Sequence, residues 1–332
     1  MMYNGMKLKL VLIILLGSIV CQAQSSNTMP ENNKNPLICD PEKGICEMPS
    51  AHAHDHQDYN PEQEKPVKII YFTDPICSAC WGIEPQLRKL KLEYGHVAEI
   101  EYRMGGLLPD WSYNSGGISK PSDVAHHWDE VSQHYDMPID GNIWLEDPLN
   151  SSYPPSIAFK AAQMQDEHKA ISFLRRIREM VFLEKKNITR WEFLSAAASE
   201  TGLDTVKFKA DYESGAIVLF QEDLSLAKKM GVRGFPTLFF RDSLQNQLLV
   251  YGFKPYQSFE GALLKIVAEA IKTPYDHAWS GLFSYYPTLT TREFSELSGL
   301  SKSESENLLQ NLESQDQVAK RITKNGVLWV KR

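Results

Sequence analysis

The chain has 332 residues, of which 42% are hydrophobic, 23% charged and 11% aromatic. These proportions exclude a disordered tail protein, a collagen-like fibre and a disulfide-stapled miniprotein, and the length fits two modest domains or one domain with a large insertion. A formal net charge of −7 argues against nucleic-acid binding, which favours basic surfaces.

Residues 1–23 read as a signal peptide. Lys7 and Lys9 precede an apolar run from Leu10 to Val20, and Cys21-Gln22-Ala23 then offers the small residues a signal peptidase requires. The run is about a dozen residues, short of the ~20 that span a bilayer, so no stable membrane anchor is expected. Export to the periplasm or beyond implies an oxidising compartment. With Cys21 removed, the remaining cysteines fall into two close pairs, Cys39 with Cys46 and Cys77 with Cys80.

Residues 24–66 are rich in Pro, Asn, Glu and His and read as a flexible arm. Cys39 and Cys46 enclose six residues that include Asp-Pro and Gly, a composition that turns easily. A local disulfide there is either a second redox pair serving Cys77 and Cys80 or a structural clip. His52, His54 and His56 alternate along an extended chain and are weak candidates for Zn or Cu; the plainer reading is a solvated cluster, and neither a metal nor a cofactor is expected.

A compact pattern begins at Val67. Val67 to Phe72 is a buried strand, Cys77 opens a helix marked by Ile83, Leu87, Leu90 and Tyr94, and Val97 to Tyr102 forms a second strand, giving a parallel βαβ unit. Residues 109–215 carry helical patterns only. In that block Thr189 with Glu192 resembles a capping box ahead of Phe193, Leu194, Ala197 and Ala198. A helix from Ile217 to Met230, a hairpin of Thr237 to Phe240 with Leu248 to Tyr251, and a helix from Phe259 to Ile271 follow. This order predicts an α/β thioredoxin fold made of residues 67–108 and 216–272, with a helical domain inserted in its middle. Residues 277–332 form a small winged-helix-like module with helices from Leu289 to Leu300 and from Ser301 to Leu312 and a strand from Val327 to Val330.

The chemistry concentrates at Cys77-Ser78-Ala79-Cys80, at the end of a strand and the start of a helix. Two cysteines in a first helical turn can close a disulfide with little backbone movement. The first sulfur faces unpaired N–H groups and the positive end of the helix dipole, which favour the thiolate. Cys77 is therefore the candidate nucleophile and Cys80 the resolving thiol. Asp74 either caps the turn before the helix or accepts a proton from Cys80. Trp81 belongs to the core or covers the dithiol, and Glu84 reads as a solvated helix residue.

Asp74-Pro75-Ile76-Cys77 to Trp81, the long helical insertion and Gly234-Phe235-Pro236-Thr237 before a strand together resemble the DsbA-like thioredoxin-fold oxidoreductases. The likeness spans about residues 66–272 and is strongest to a branch that includes FrnE-type isomerases and YjbH/SpxH protease adaptors. It implies a cis Pro236 against the dithiol, with Phe235 offering its backbone to an extended substrate. Ser78-Ala79 stands where DsbA has Pro-His, so no cation flanks Cys77, and its pKa is expected nearer thioredoxin's ~7 than DsbA's ~3.5. The function expected on these grounds is an exported thiol–disulfide oxidoreductase or isomerase. Its partners would be cysteine-containing exported proteins and an unidentified redox partner. The rival reading is a non-catalytic adaptor of the YjbH/SpxH type.

Overall fold

The computed structural model describes residues 39–40, 45–47, 65–112 and 120–332. The expected signal peptide and the three arm histidines, His52, His54 and His56, lie outside them. In chain order, β1 (Cys39–Asp40) and β2 (Ile45–Glu47) precede β3 (Val67–Thr73), α1 (Ser78–Gly82), α2 (Glu84–Tyr94) and β4 (Ala98–Met104). The insertion carries α3 (Pro121–Tyr135), α4 (Ile143–Glu146), α5 (Tyr153–Gln163), α6 (Glu167–Leu183), α7 (Trp191–Glu200) and α8 (Thr205–Tyr212). The chain re-enters the core through α9 (Gly215–Lys229), β5 (Gly234–Phe235), β6 (Thr237–Arg241), β7 (Gln247–Tyr251) and α10 (Tyr256–Ile266). It finishes with α11 (Trp279–Tyr285), β8 (Thr288–Thr290), α12 (Thr291–Ser298), α13 (Lys302–Ser314), β9 (Val318–Thr323) and β10 (Gly326–Lys331).

The central sheet has the order β4-β3-β6-β7. β3 reads VKIIYFT and is buried at six of its seven positions, because it is paired on both edges and covered on both faces. It runs parallel to β4, with Val67 opposite Ala98 and Thr73 opposite Met104, and antiparallel to β6, with Phe72 opposite Thr237. This is the expected thioredoxin fold with its helical insertion. The helix predicted to run from Cys77 to Tyr94 is broken at Ile83, because Pro85 opens α2: proline lacks an N–H and its ring would meet the carbonyl four residues back.

The insertion joins the core through aromatic contacts. Trp81 of α1 stacks on Phe182 of α6 at 5.5 Å between ring centres, and Trp128 of α3 meets both Phe182 and Trp144. The capping box expected at Thr189 does not form. The Thr189 hydroxyl donates to Asn187 Oδ1 at 2.6 Å, and α7 starts from Arg190 without a side-chain cap.

In the C-terminal module the helix expected from Leu289 starts later, at Thr291, since Leu289 belongs to β8. Both of its longer helices carry true capping boxes, Thr290 with Glu293 and Ser301 with Glu304. β8, β10 and β9 form an antiparallel sheet over a small core of Leu282, Phe283, Leu289, Phe294, Leu297, Leu309 and Trp329. Leu328, from the same strand as Trp329, enters the main core instead. Among the described residues no helix is long and apolar enough to cross a membrane.

Candidate functional site: a buried disulfide beside a peptide-like strand

The end of β3 delivers Asp74, and the turn that follows places Cys77 as the N-cap of α1, where its sulfur accepts a hydrogen bond from the Cys80 N–H at 3.1 Å. Cys77 and Cys80 are joined as a disulfide, with Cα atoms 5.2 Å apart. Both residues are 0% exposed. Neither sulfur titrates in this state.

Asp74 is also fully buried. One carboxylate oxygen accepts the Ile76 N–H at 3.0 Å; the other accepts the Leu107 N–H and the Ser152 hydroxyl, each at 2.8 Å. Burial raises its pKa from 3.8 to about 6, against the opposing effect of these hydrogen bonds and of Arg178. The geometry thus has Asp74 capping the turn and also tying the dithiol turn to the insertion through Ser152.

The turn rests on charges that the sequence reading did not identify. Arg178 of α6, fully buried, donates to Thr73 Oγ1 and to the Asp74 carbonyl and pairs with Glu84. Glu84 is therefore not the solvated residue expected, since its carboxylate is held between Arg178 and Arg88. Arg175 lies 4.3 Å above the Trp81 ring and donates both Nη atoms to the Glu293 carboxylate, at 2.8 and 3.0 Å. Arg88 reaches the same carboxylate at 3.3 Å. One network thus fastens α2, α6 and the C-terminal module together. Trp81 itself is a core residue, its indole N–H donating to the Pro138 carbonyl at 3.0 Å.

The proline strand lies beside the same turn. The Phe235–Pro236 peptide is cis, and the pairing of Thr237 with Phe72 sets Pro236 next to the end of β3, where the dithiol turn begins. Phe235 is buried, and its ring fills the space that a Cβ on Gly105 would need, 1.8 Å from such an atom. Its backbone is paired: β2 runs antiparallel to β5, with Cys46 opposite Phe235 and Glu47 opposite Gly234. β2 also pairs with β1, with Cys39 opposite Cys46, and passes beside α1. The stretch expected as a flexible arm therefore adds two strands at the site.

A family model described as Thioredoxin matches residues 71–261, and the chain belongs to the thioredoxin family. A candidate protein disulfide isomerase from Nitrosomonas europaea superposes with a TM-score of 0.52 at 21% identity, covering 62% of this chain and 97% of its own. The cytosolic disulfide reductase DsbM of Pseudomonas aeruginosa does so with a TM-score of 0.50 at 21% identity, covering 60% of this chain and all of its own. Both share the fold. In sequence the chain is similar to the ClpXP adapter protein SpxH of Halalkalibacterium halodurans, 38% identical over 69% of this chain and 75% of that protein. It is also similar to SpxH of Bacillus subtilis, 32% identical over 85% and 93%, and of Shouchella clausii, 33% identical over 88% and 95%.

These relatives overturn the expectation of an exported thiol–disulfide oxidoreductase or isomerase with cysteine-containing exported substrates: they are named as protease adapters, not as enzymes. Of the two branches expected, they represent SpxH and not FrnE.

Proposed function

We propose that this protein is an adaptor of the SpxH type, which binds a client protein and presents it to a ClpXP-type protease. The observation that carries this reading is the reach of the likeness. The two disulfide-enzyme structures cover 60–62% of the chain, whereas the B. subtilis adapter aligns over 288 residues, well beyond the 71–261 stretch of the family model. What the chain shares with the adapters therefore includes parts outside the thioredoxin core.

In this reading the dithiol turn is a rigid platform, and the backbone edge at Gly234 and Phe235 is where an extended client segment docks by strand pairing. The working chain shares a compartment with the protease and keeps residues 1–23, which fractionation combined with N-terminal mass measurement checks.

The test compares protein half-lives in cells with the chain, without it, and without the protease. A set of proteins stabilised equally by either loss is the expected result. A Cys77→Ala/Cys80→Ala variant should restore their turnover, because delivery needs no thiol chemistry. If no protein is stabilised by loss of the chain, or if the variant fails while remaining folded, the adaptor reading is wrong.

A further inference from the structure

The strand paired with β5 is the chain's own. β2 covers the backbone of Gly234 and Phe235 in antiparallel register and passes beside α1, so it lies along the edge on which an extended peptide partner would lie. The pairing is short, two residue pairs on β5 and two with β1, so few backbone hydrogen bonds hold it.

We propose that β2 (Ile45–Glu47) is a resident occupant of the β5 edge, a built-in competitor that an incoming extended segment must displace strand for strand. Only the identity of the incomer, a client segment, rests on the adaptor reading; the occupancy itself stands on the register. The device sets a threshold. A weak or poorly extended peptide fails to displace the resident strand, and a segment that pairs over more residues succeeds.

The experiment uses the full chain and hydrogen exchange. Cys46→Pro bars a regular strand opposite Phe235. Consecutive residues of an antiparallel strand aim their N–H groups at opposite edges, so one of the two amides of Gly234 and Phe235 faces β2. Exchange at that amide should then accelerate about tenfold or more, as expected when a protecting pair opens, while protection across Val67–Thr73 stays unchanged. Glu47→Pro, opposite Gly234, also bars the strand and should give the same pattern. A synthetic peptide of residues 43–49 carrying Cys46→Ser, added in trans, should restore slow exchange in either variant and leave the wild-type chain unaffected.

Unchanged exchange at Gly234 and Phe235 in both variants overturns the proposal, and so does a peptide that protects wild type as well as the variants. Client half-lives are a separate measurement, so the adaptor reading and the resident strand can fail independently.

Discussion

Glu293→Gln removes one negative charge and almost no volume from the junction between α6, α2 and the C-terminal module. The carboxylate is 0% exposed and is shared by Arg175, at 2.8 and 3.0 Å, and Arg88, at 3.3 Å, while also accepting the Thr290 N–H at 2.7 Å. Burial alone would raise its pKa; Arg175, Arg88 and the Thr290 N–H overcome burial and hold it below the ordinary 4.5.

Breaking a buried pair by removing one partner costs about 3–5 kcal/mol, because the other charge stays buried. Arg175 keeps Glu179 at 2.8 Å, so the lower end, about 3 kcal/mol, applies. For a chain of 332 residues that is a fall in Tm of roughly 4 °C, at ~2.1 cal/mol/K of unfolding entropy per residue, read by calorimetry or a denaturant midpoint. The paired swap Arg175→Met/Glu293→Leu removes both charges and should cost well under the sum of the single changes. The linkage sign follows from the depressed pKa: Glu293's contribution is fully present above pH 4.5 and is lost as pH falls through its lower native value, so wild type and Glu293→Gln should converge in acid. A cost below about 1 kcal/mol at pH 7, or strict additivity in the double variant, would refute the assignment.

Asp74 should show the opposite pH dependence. Its raised pKa favours the protonated form in the folded state, so this stabilisation is complete below 3.8 and lost as pH rises through about 6. Relative to Asp74→Asn, wild type should lose up to about 3 kcal/mol between pH 4 and 7, and a pH-independent difference between the two in urea titrations contradicts the burial argument. Cys77→Ala/Cys80→Ala opens a loop of sequence separation 3, and loop entropy predicts a loss of about 2 kcal/mol; a variant as stable as wild type shows that the disulfide does not brace the turn. Gly105→Ala drives a methyl into the Phe235 ring and should cost about 1–3 kcal/mol by overpacking, with faster exchange in peptides spanning 232–240; a neutral Tm would mean that the ring can yield.

What the sequence made legible was local. The unbroken apolar run of β3, the Cys-x-x-Cys after it and Gly-Phe-Pro-Thr before β6 suffice for the fold and for the position of the dithiol turn. Some missed features also had local signals: Thr290-x-x-Glu293 and Ser301-x-x-Glu304 are capping-box patterns, and Arg178 lies on the apolar stripe of α6, four residues after Leu174 and three before Val181. The rest depends on distance along the chain. Arg175 meets Glu293 across 118 positions, and Cys46 lies opposite Phe235 only after the whole insertion has folded between them. A charge read on its own helix looks solvated, as Glu84 did, until its partners arrive from elsewhere.

The same long-range contacts bear on how a dithiol fold can serve a binding role. An adaptor must hold two partners at a fixed separation, and flexible joints would blur that distance. Here α1 is pinned through Trp81 to the Pro138 carbonyl and to the cation of Arg175, and Arg175 is bound in turn to Glu293 of α12. A displacement of the C-terminal module must therefore break buried ion pairs before it reaches β5 beside Pro236. If the adaptor reading is right, Glu293→Gln should impair client delivery at temperatures where the variant is still folded, because the platform would lose its fixed geometry before its stability. Delivery unaffected by Glu293→Gln at those temperatures would mean that both partners bind on one side of this junction and that the network serves stability alone.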